Sequence, residues 1–225
     1  MSAPRRIAIL ASGAGSNMEA IAKACEQTQI PAEVGLVICN VPGATVLARA
    51  EQRRIPHCCI DHRQFDGREA FEEEMLKALR SASIDFVVLA GFMRILTDRF
   101  IREYYGSLLN IHPSLLPKYP GLNTHQRALD AGDRECGATV HYVTPQLDAG
   151  PSIAQVRVSI RPEDDAMSLA AKVQEQEHRI YPLAIRWCLE NKVVLRDGQV
   201  WKDASTMTDA STTTDESTTS NGVKA

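Results

Sequence analysis

Apolar residues in the first ninety positions form short continuous runs, separated by longer stretches with helical spacing. Four runs have the length and continuity of buried parallel strands: residues 6–10, 34–39, 57–60 and 84–90. Three amphipathic stretches between them are typical of helices: residues 17–27, 45–53 and 67–81. Strands that alternate with helices predict an α/β fold with an open, mostly parallel, Rossmann-like sheet and helices on both faces.

The pattern changes after Gly91. Residues 108–119 are rich in proline and have no helical period, and the run from Asn110 to Pro117 is expected to follow a strand. Three further features are predicted: strands at residues 139–143 and 153–160 around a Gly-Pro turn, a helix at residues 166–190, and a terminal hairpin around Asp197-Gly198. The second half of the chain is therefore expected to add antiparallel strands to the sheet.

Composition places the chain among ordinary globular proteins. It has 225 residues, of which 44% are hydrophobic and 24% charged, and its net charge is −3. The scattered basic residues give no reason to expect a nucleic-acid or membrane partner, and no run approaches the roughly 20 apolar residues of a membrane span. The six cysteines contain no Cys-x-x-Cys pair, so we interpret them as reduced thiols of a cytoplasmic protein.

A glycine-containing motif, Gly13-Ala14-Gly15-Ser16-Asn17, joins the first predicted strand to the first helix. Glycine allows a tight turn, and a helix N-terminus offers free N–H groups to an anion. The motif is neither a Walker loop nor a complete Gly-x-Gly-x-x-Gly, so a single phosphate is a better hypothesis than a dinucleotide. The alternative is an ordinary strand-to-helix turn in which Asn17 starts the helix.

Asn110 and His112 are two residues apart in a proline-rich run. In an extended segment such side chains share a face, so both could point at one reacting carbonyl. Asp148 follows a predicted strand, and a carboxylate beside His112 would favour the charged imidazole. The alternatives are a structural loop histidine and a turn aspartate.

Five runs resemble, in the same order, the glycinamide ribonucleotide (phosphoribosylglycinamide) formyltransferase family of folate-dependent enzymes: Ala11-Ser12-Gly13-Ala14-Gly15-Ser16-Asn17, Gly91-Phe92-Met93-Arg94-Ile95-Leu96, residues 110–120, Leu147-Asp148-Ala149-Gly150-Pro151 and Gln174-Glu175-Gln176-Glu177-His178. The resemblance covers about residues 5–202. It implies the formyltransferase fold in one domain, residues 1–202. Residues 1–100 would form the nucleotide-binding half and residues 101–202 the catalytic and folate half. Residues 203–225 are rich in serine and threonine and are expected to form a disordered tail.

The resemblance also implies a role for particular residues. Asn110, His112 and Asp148 would be catalytic. Four residues would bind the substrate nucleotide: Gly15, Ser16, Asn17 and Glu177. The folate positions would be Arg68, Met93, Arg94, Ile95, Leu96, Asn110, Thr144, Pro145, Gln146, Leu147 and Asp148. Without the resemblance, Glu177 would be assigned to a solvated helix face, Arg68 to the surface, and Ile95 and Leu96 to the core.

The implied reaction is formyl transfer from 10-formyltetrahydrofolate to the amine of glycinamide ribonucleotide in purine synthesis, without a metal. Asn110 and protonated His112 would donate hydrogen bonds to the oxyanion. Methionyl-tRNA formyltransferase is one alternative, but it should carry a basic C-terminal RNA-binding domain. A formyltetrahydrofolate deformylase should carry an extra N-terminal domain. A non-catalytic nucleotide-binding module would explain the glycine motif alone. Whether the enzyme is a monomer or a homodimer stays open.

Overall fold

The computed structural model describes residues 4–203. It contains a seven-stranded mixed sheet, a separate two-stranded hairpin and six α-helices within these residues. The strands are β1 (Arg5–Ala11), β2 (Ala32–Cys39), β3 (His57–Cys59), β4 (Phe86–Leu89), β5 (Leu108–His112), β6 (Glu135–Tyr142), β7 (Ser152–Ser159), β8 (Val193–Arg196) and β9 (Gln199–Lys202). The helices are α1 (Ser16–Glu26), α2 (Thr45–Gln52), α3 (Arg68–Ser81), α4 (Asp98–Glu103), α5 (Thr124–Asp130) and α6 (Ala166–Leu189).

The order of the strands confirms the predicted fold class. The sheet runs β3-β2-β1-β4-β5-β6-β7, and its first five strands are parallel. β6 and β7 pair antiparallel with β5 and with each other, as expected for the second half. The chain moves outward from β1 in one direction and returns to place β4 on its other side. Such a reversal of strand order opens a crevice at the carboxyl ends of the parallel strands.

Two hydrophobic clusters cover the two faces of the sheet, because successive side chains of a strand point to opposite faces. On β1, Ile7 and Ile9 contribute to the larger cluster, which includes α6. Ala8 and Leu10 contribute to the other, which includes side chains of α3. Helices thus lie on both faces. The sheet continues through both predicted halves of the domain, and their division remains a prediction.

The amino-acid pattern located most elements. It placed the run from Asn110 to Pro117 after a strand, whereas β5 continues through His112 and contains both Asn110 and His112. These polar side chains interrupt the apolar run of β5, so the extent of the strand was not predicted. α4 and α5 were also not predicted, since helices of six and seven residues are too short to establish a period.

The C-terminal elements agree with the prediction. α6 is a 24-residue helix that begins with a capping box between Asp165 and Ser168. β8 and β9 form the predicted hairpin, and both turn residues, Asp197 and Gly198, have positive φ, as a type I′ turn requires. In the part of the chain that the structure describes, no helix is long and apolar enough to cross a membrane.

Candidate active site

The loops that follow β1, β4 and β5 all lie at the carboxyl edge of the parallel sheet. A hydrogen bond of 3.1 Å from the Ser12 amide to the Gly91 carbonyl joins the first two loops at the reversal of strand order. The glycine motif, residues 91–97 and the Asn110–His112 pair are therefore neighbours at one crevice. This is the position at which open α/β sheets bind ligands.

The glycine motif turns sharply into α1 at Gly15, whose φ is +78°. A Cβ atom on Gly15 would lie 2.6 Å from Cγ2 of Val46, so both the backbone conformation and the available space require glycine. A Cβ atom on Gly13 would meet nothing within 4 Å. The outer side of the loop is thus open, and the N–H groups at the start of α1 are suitably placed for an anion.

Asn17 and Glu177 lie far apart in the sequence but are bonded in the structure. The Asn17 side-chain amide donates to Oε2 of Glu177 over 2.8 Å, and each residue is only 8% exposed. The alternative interpretation of Glu177 as a solvated residue is therefore wrong, and Asn17 does not cap α1, whose N-cap is Gly15. Burial raises the pKa of Glu177, and the hydrogen bond from Asn17 opposes this shift.

The catalytic candidates lie within β5 rather than after it. Asn110 and His112 share one face of this strand because they are two positions apart. Register places Asn110 directly opposite His141 of β6 and His112 opposite Thr139. The prediction that Asn110 and His112 share one face of an extended segment therefore holds.

The structure brings Asp148 to His112. Oδ2 of Asp148 lies 3.3 Å from Nδ1 of His112, and their side chains are 6% and 8% exposed. The other ring nitrogen, Nε2, donates to the Tyr119 carbonyl over 2.9 Å. Asp148 is held in turn by the Gly121 amide, which donates to Oδ2 over 2.8 Å. Both nitrogens of His112 thus face acceptors, an arrangement that suits a charged imidazolium.

His141 is a functional candidate that the sequence interpretation missed. Its Nδ1 donates to the Tyr142 carbonyl over 2.9 Å, so in the neutral ring Nε2 is an acceptor. The Asn110 side-chain amide lies 3.2 Å from this Nε2, and Oδ1 of Asp148 lies 3.8 Å from it. Burial lowers the pKa of His141, and this effect outweighs the opposing effects of the Tyr142 carbonyl and Asp148. Neutral His141 therefore fixes the orientation of the Asn110 amide. The available signal was a histidine within the strand predicted at residues 139–143.

The first predicted folate segment runs from Met93 to Leu96 and is mostly exposed. Met93 and Ile95 are 61% and 51% exposed, whereas Leu96 is buried. The core interpretation is thus correct for Leu96 and wrong for Ile95. Just beyond the segment, the buried carboxylate of Glu72 accepts hydrogen bonds from the amide and hydroxyl of Thr97. Arg68 is exposed at the start of α3, one helical turn from Glu72.

The second predicted folate segment is the loop that ends at Asp148. Pro145, Gln146 and Leu147 are exposed, and Thr144 donates its hydroxyl to the Gln146 carbonyl over 3.2 Å. A Cβ atom on Gly121 would lie 4.0 Å from Leu147, so this loop contacts the loop that follows β5. The exposed side chains of this loop, both apolar and polar, face outward beside the His112–Asp148 pair.

The Leu116-Pro117 peptide bond is cis. All six cysteines are free thiols. Among residues 4–203, no cluster of three or more histidine, cysteine or carboxylate side chains is arranged to hold a metal ion.

Comparison with known proteins identifies the family. Residues 5–185 match the family model described as formyl transferase. The chain belongs to the formyl transferase family. It is similar to the phosphoribosylglycinamide formyltransferase of Escherichia coli, with 46% identity over 195 residues, which cover 87% of this chain and 92% of that protein. It is also 46% identical over 183 residues to the trifunctional purine biosynthetic protein of Drosophila melanogaster, covering 80% of this chain and 14% of that protein.

A solved structure of the phosphoribosylglycinamide formyltransferase of Coxiella burnetii superimposes on this formyl transferase with a TM-score of 0.85. The two are 44% identical, and the match covers 89% of this chain and 94% of that chain. The predicted fold and the predicted class, a formyltransferase enzyme of purine biosynthesis, are confirmed by this agreement.

Proposed function

We propose that the enzyme transfers the formyl group of 10-formyltetrahydrofolate to the amine of 5-phosphoribosylglycinamide, giving the N-formyl product and tetrahydrofolate in the cytoplasm. The observation that carries the proposal is the contact between His112 and Asp148 beside Asn110, at the same sheet edge as the glycine motif. A phosphate site and an acyl-transfer site within one crevice match a phosphorylated amine acceptor. The relatives named above support this acceptor.

In this proposal the nucleotide occupies the β1 end of the crevice. Its phosphate is bound by the N–H groups of Gly15, Ser16 and Asn17, where the dipole of α1 favours an anion. Glu177 accepts from a ribose hydroxyl or from the glycinamide end, and the Asn17 amide holds its carboxylate in place. The folate is held by Arg68, by the segment from Met93 to Leu96 and by the loop from Thr144 to Leu147.

The reaction begins when the free amine attacks the formyl carbon, so that negative charge develops on the formyl oxygen. Asn110 directs one side-chain N–H to His141, and its second N–H is available to that oxygen. Loss of one such donor typically costs about 3–4 kcal/mol of transition-state stabilisation. His112, when protonated beside Asp148, stabilises the same charge electrostatically. Direct donation by its Nε2 requires exchange of the Tyr119 carbonyl for the substrate oxygen.

A proton must then leave the attacking amine and reach N10 of the folate as the carbon–nitrogen bond to N10 breaks. Asp148 is the carboxylate next to His112 and is suited to accept this proton, directly or through water. Its bond from Gly121 keeps one oxygen oriented while the other faces His141. Asn110, His112 and Asp148 together supply the groups that the proposed reaction requires from the protein.

One experiment separates this proposal from its alternatives. The enzyme is mixed with 5-phosphoribosylglycinamide and 10-formyltetrahydrofolate, and release of tetrahydrofolate is followed by absorbance together with detection of the formylated nucleotide. Release of formate without formation of the formylated nucleotide would indicate a deformylase. Formylation of methionyl-tRNA would indicate a methionyl-tRNA formyltransferase. Binding of both ligands without turnover would indicate a non-catalytic module.

A further inference from the structure

Ser12 directly precedes the glycine motif and its phosphate-binding residues, but its hydrogen bonds lead elsewhere. Its Oγ accepts from the Met93 amide over 2.8 Å and donates to Oδ1 of Asn40 over 2.6 Å. Its own amide donates to the Gly91 carbonyl. Ser12 thus holds the start of the folate segment through both its backbone and its side chain.

This contact is the end of a chain of hydrogen bonds across four neighbouring strands. With Oδ1 of Asn40 used by Ser12, Nδ1 of His62 lies 3.2 Å from both the side-chain amide nitrogen and the backbone carbonyl of Asn40, so His62 is bonded to Asn40 in either tautomer. Asn40 is only 2% exposed, so its orientation is fixed by these partners. His62, Asn40, Ser12 and Met93 follow the carboxyl ends of β3, β2, β1 and β4, which is the order of the strands in the sheet. The chain therefore connects the outer edge of the sheet to the crevice.

The other end of the folate segment is also fixed. Glu72 accepts from the amide and hydroxyl of Thr97, so Met93 and Thr97 are both bound to buried or half-buried side chains. Between them, within the described part of the chain, the amides of Arg94, Ile95 and Leu96 donate no hydrogen bond. The segment is an exposed backbone edge held between two anchors, and its shape depends on both.

We propose that Ser12 is a positioning residue for the folate, although it lies directly before the glycine motif: it orients the backbone of the Met93–Leu96 region through the Met93 amide. This inference rests on the proposed function. It divides the loop after β1 into two parts, since Gly15, Ser16 and Asn17 bind the nucleotide phosphate in that proposal whereas Ser12 is bonded to the folate segment. A residue that merely shaped the turn would instead affect binding of the nearby phosphate.

The test compares the two Michaelis constants in matched variants. Ser12→Ala removes the acceptor for the Met93 amide, and we expect KM for 10-formyltetrahydrofolate to rise about three- to tenfold, as for one lost hydrogen bond. KM for 5-phosphoribosylglycinamide should stay within about twofold. Ser12→Thr keeps the hydroxyl and should restore the folate KM. Gly13→Ala, on the same loop, should raise the nucleotide KM instead.

The inference is overturned if Ser12→Ala raises the nucleotide KM as much as the folate KM, or if Ser12→Thr does not restore the folate KM. If Ser12→Ala does not fold, Ser12→Cys serves in its place, because a thiol has a similar shape but is a weak hydrogen-bond acceptor. If the wild-type enzyme is inactive with these substrates, the proposed function fails. The role of Ser12 is then decided by calorimetry with tetrahydrofolate and with inorganic phosphate, where only tetrahydrofolate binding should weaken in Ser12→Ala.

Discussion

At the scale of single residues, the site depends on a contact that no sequence pattern could specify. Asp148 and His112 are 3.3 Å apart although 35 residues separate them in the chain. The backbone of Asp148 has a φ of +51°, a conformation that aspartate and asparagine tolerate better than most residues. The Gly121 amide then fixes the carboxylate. The residue type is thus required by backbone geometry as well as by charge.

Asp148→Asn tests the charge alone. Asparagine suits the left-handed backbone and its side-chain oxygen can still accept from Gly121, so the fold should be retained. We expect kcat to fall by about two or more orders of magnitude with little change in ligand affinity, because the lost interaction acts mainly in the transition state. Single-turnover rates and calorimetry measure the two quantities. Asp130→Asn, an exposed carboxylate change on α5, is the matched control and should leave kcat within about twofold.

Because His141 is neutral in the folded protein, we expect the free energy of unfolding to depend on pH through this residue. Burial lowers the pKa of folded His141 below its ordinary value of 6.5. Its contribution to stability is therefore complete above pH 6.5 and is lost as the pH falls through the folded pKa, since the unfolded chain binds the proton more readily. One such proton changes the free energy of unfolding by at most about 1.4 kcal/mol per pH unit.

The wild-type profile alone does not isolate this effect. Burial raises the pKa values of Glu72 and Glu177, which favours the folded state as the pH falls. His141→Gln removes only the histidine. Urea unfolding at about pH 7 and about pH 5.5 should show less acid destabilisation in this variant than in wild type. Equal losses in both proteins would mean that His141 does not titrate differently in the folded and unfolded states.

At the scale of elements, the glycine motif shows how much local sequence can predict. The turn from β1 to α1 and its anion-binding geometry follow from glycine and from a helix start. The reason for Gly15 itself lies in another element, because Val46 of α2 occupies the space that a side chain would need. Likewise, Asn17 looks like a helix-start residue in sequence, and only the packing of α1 against α6 shows that it binds Glu177.

The two glycines are expected to differ on substitution. Gly15→Ala places a methyl group against Val46 at a positive φ, so we expect a loss of stability of about 1 kcal/mol or more. Gly13→Ala meets no protein atom and should keep the wild-type melting temperature while it weakens nucleotide binding, because the added methyl group occupies space that the phosphate approaches. Calorimetric melting and titration with 5-phosphoribosylglycinamide distinguish these results. Unchanged nucleotide affinity in Gly13→Ala would place the phosphate elsewhere.

At the scale of the whole molecule, the alternation of strands and helices predicted the sheet because buried parallel strands are continuous apolar runs. The prediction did not define the extent of β5, where functional side chains interrupt the apolar pattern, and it missed the short helices α4 and α5. Function explains the first omission, since Asn110 and His112 are polar residues in a central strand. The convergence of loops from β1, β4 and β5 on one crevice follows from strand order, which composition and periodicity do not specify.

The β8–β9 hairpin is the last element in the described part of the chain. The predicted tail, residues 203–225, lies outside the described residues from position 204 onward; it is rich in serine and threonine, a composition with little apolar surface to bury. The β8–β9 hairpin before it is different. Val193 is buried, its carbonyl accepts from the Tyr142 hydroxyl over 3.4 Å, and the Asp203 amide donates to Lys192 over 2.8 Å.

Asp203 is therefore bonded to the domain, one residue beyond the predicted domain end at Lys202. A chain that ends after Asp203 should keep the wild-type kcat and melt within about 2 °C of the full chain. A chain that ends after Glu190 loses the hairpin and exposes the core beneath Val193, and we expect its melting temperature to fall by several degrees. Differential scanning calorimetry on the three proteins makes the comparison. A large decrease in melting temperature after removal of residues 204–225 alone would show that the tail packs on the domain, because a tail of this composition could stabilise the domain only by packing on it.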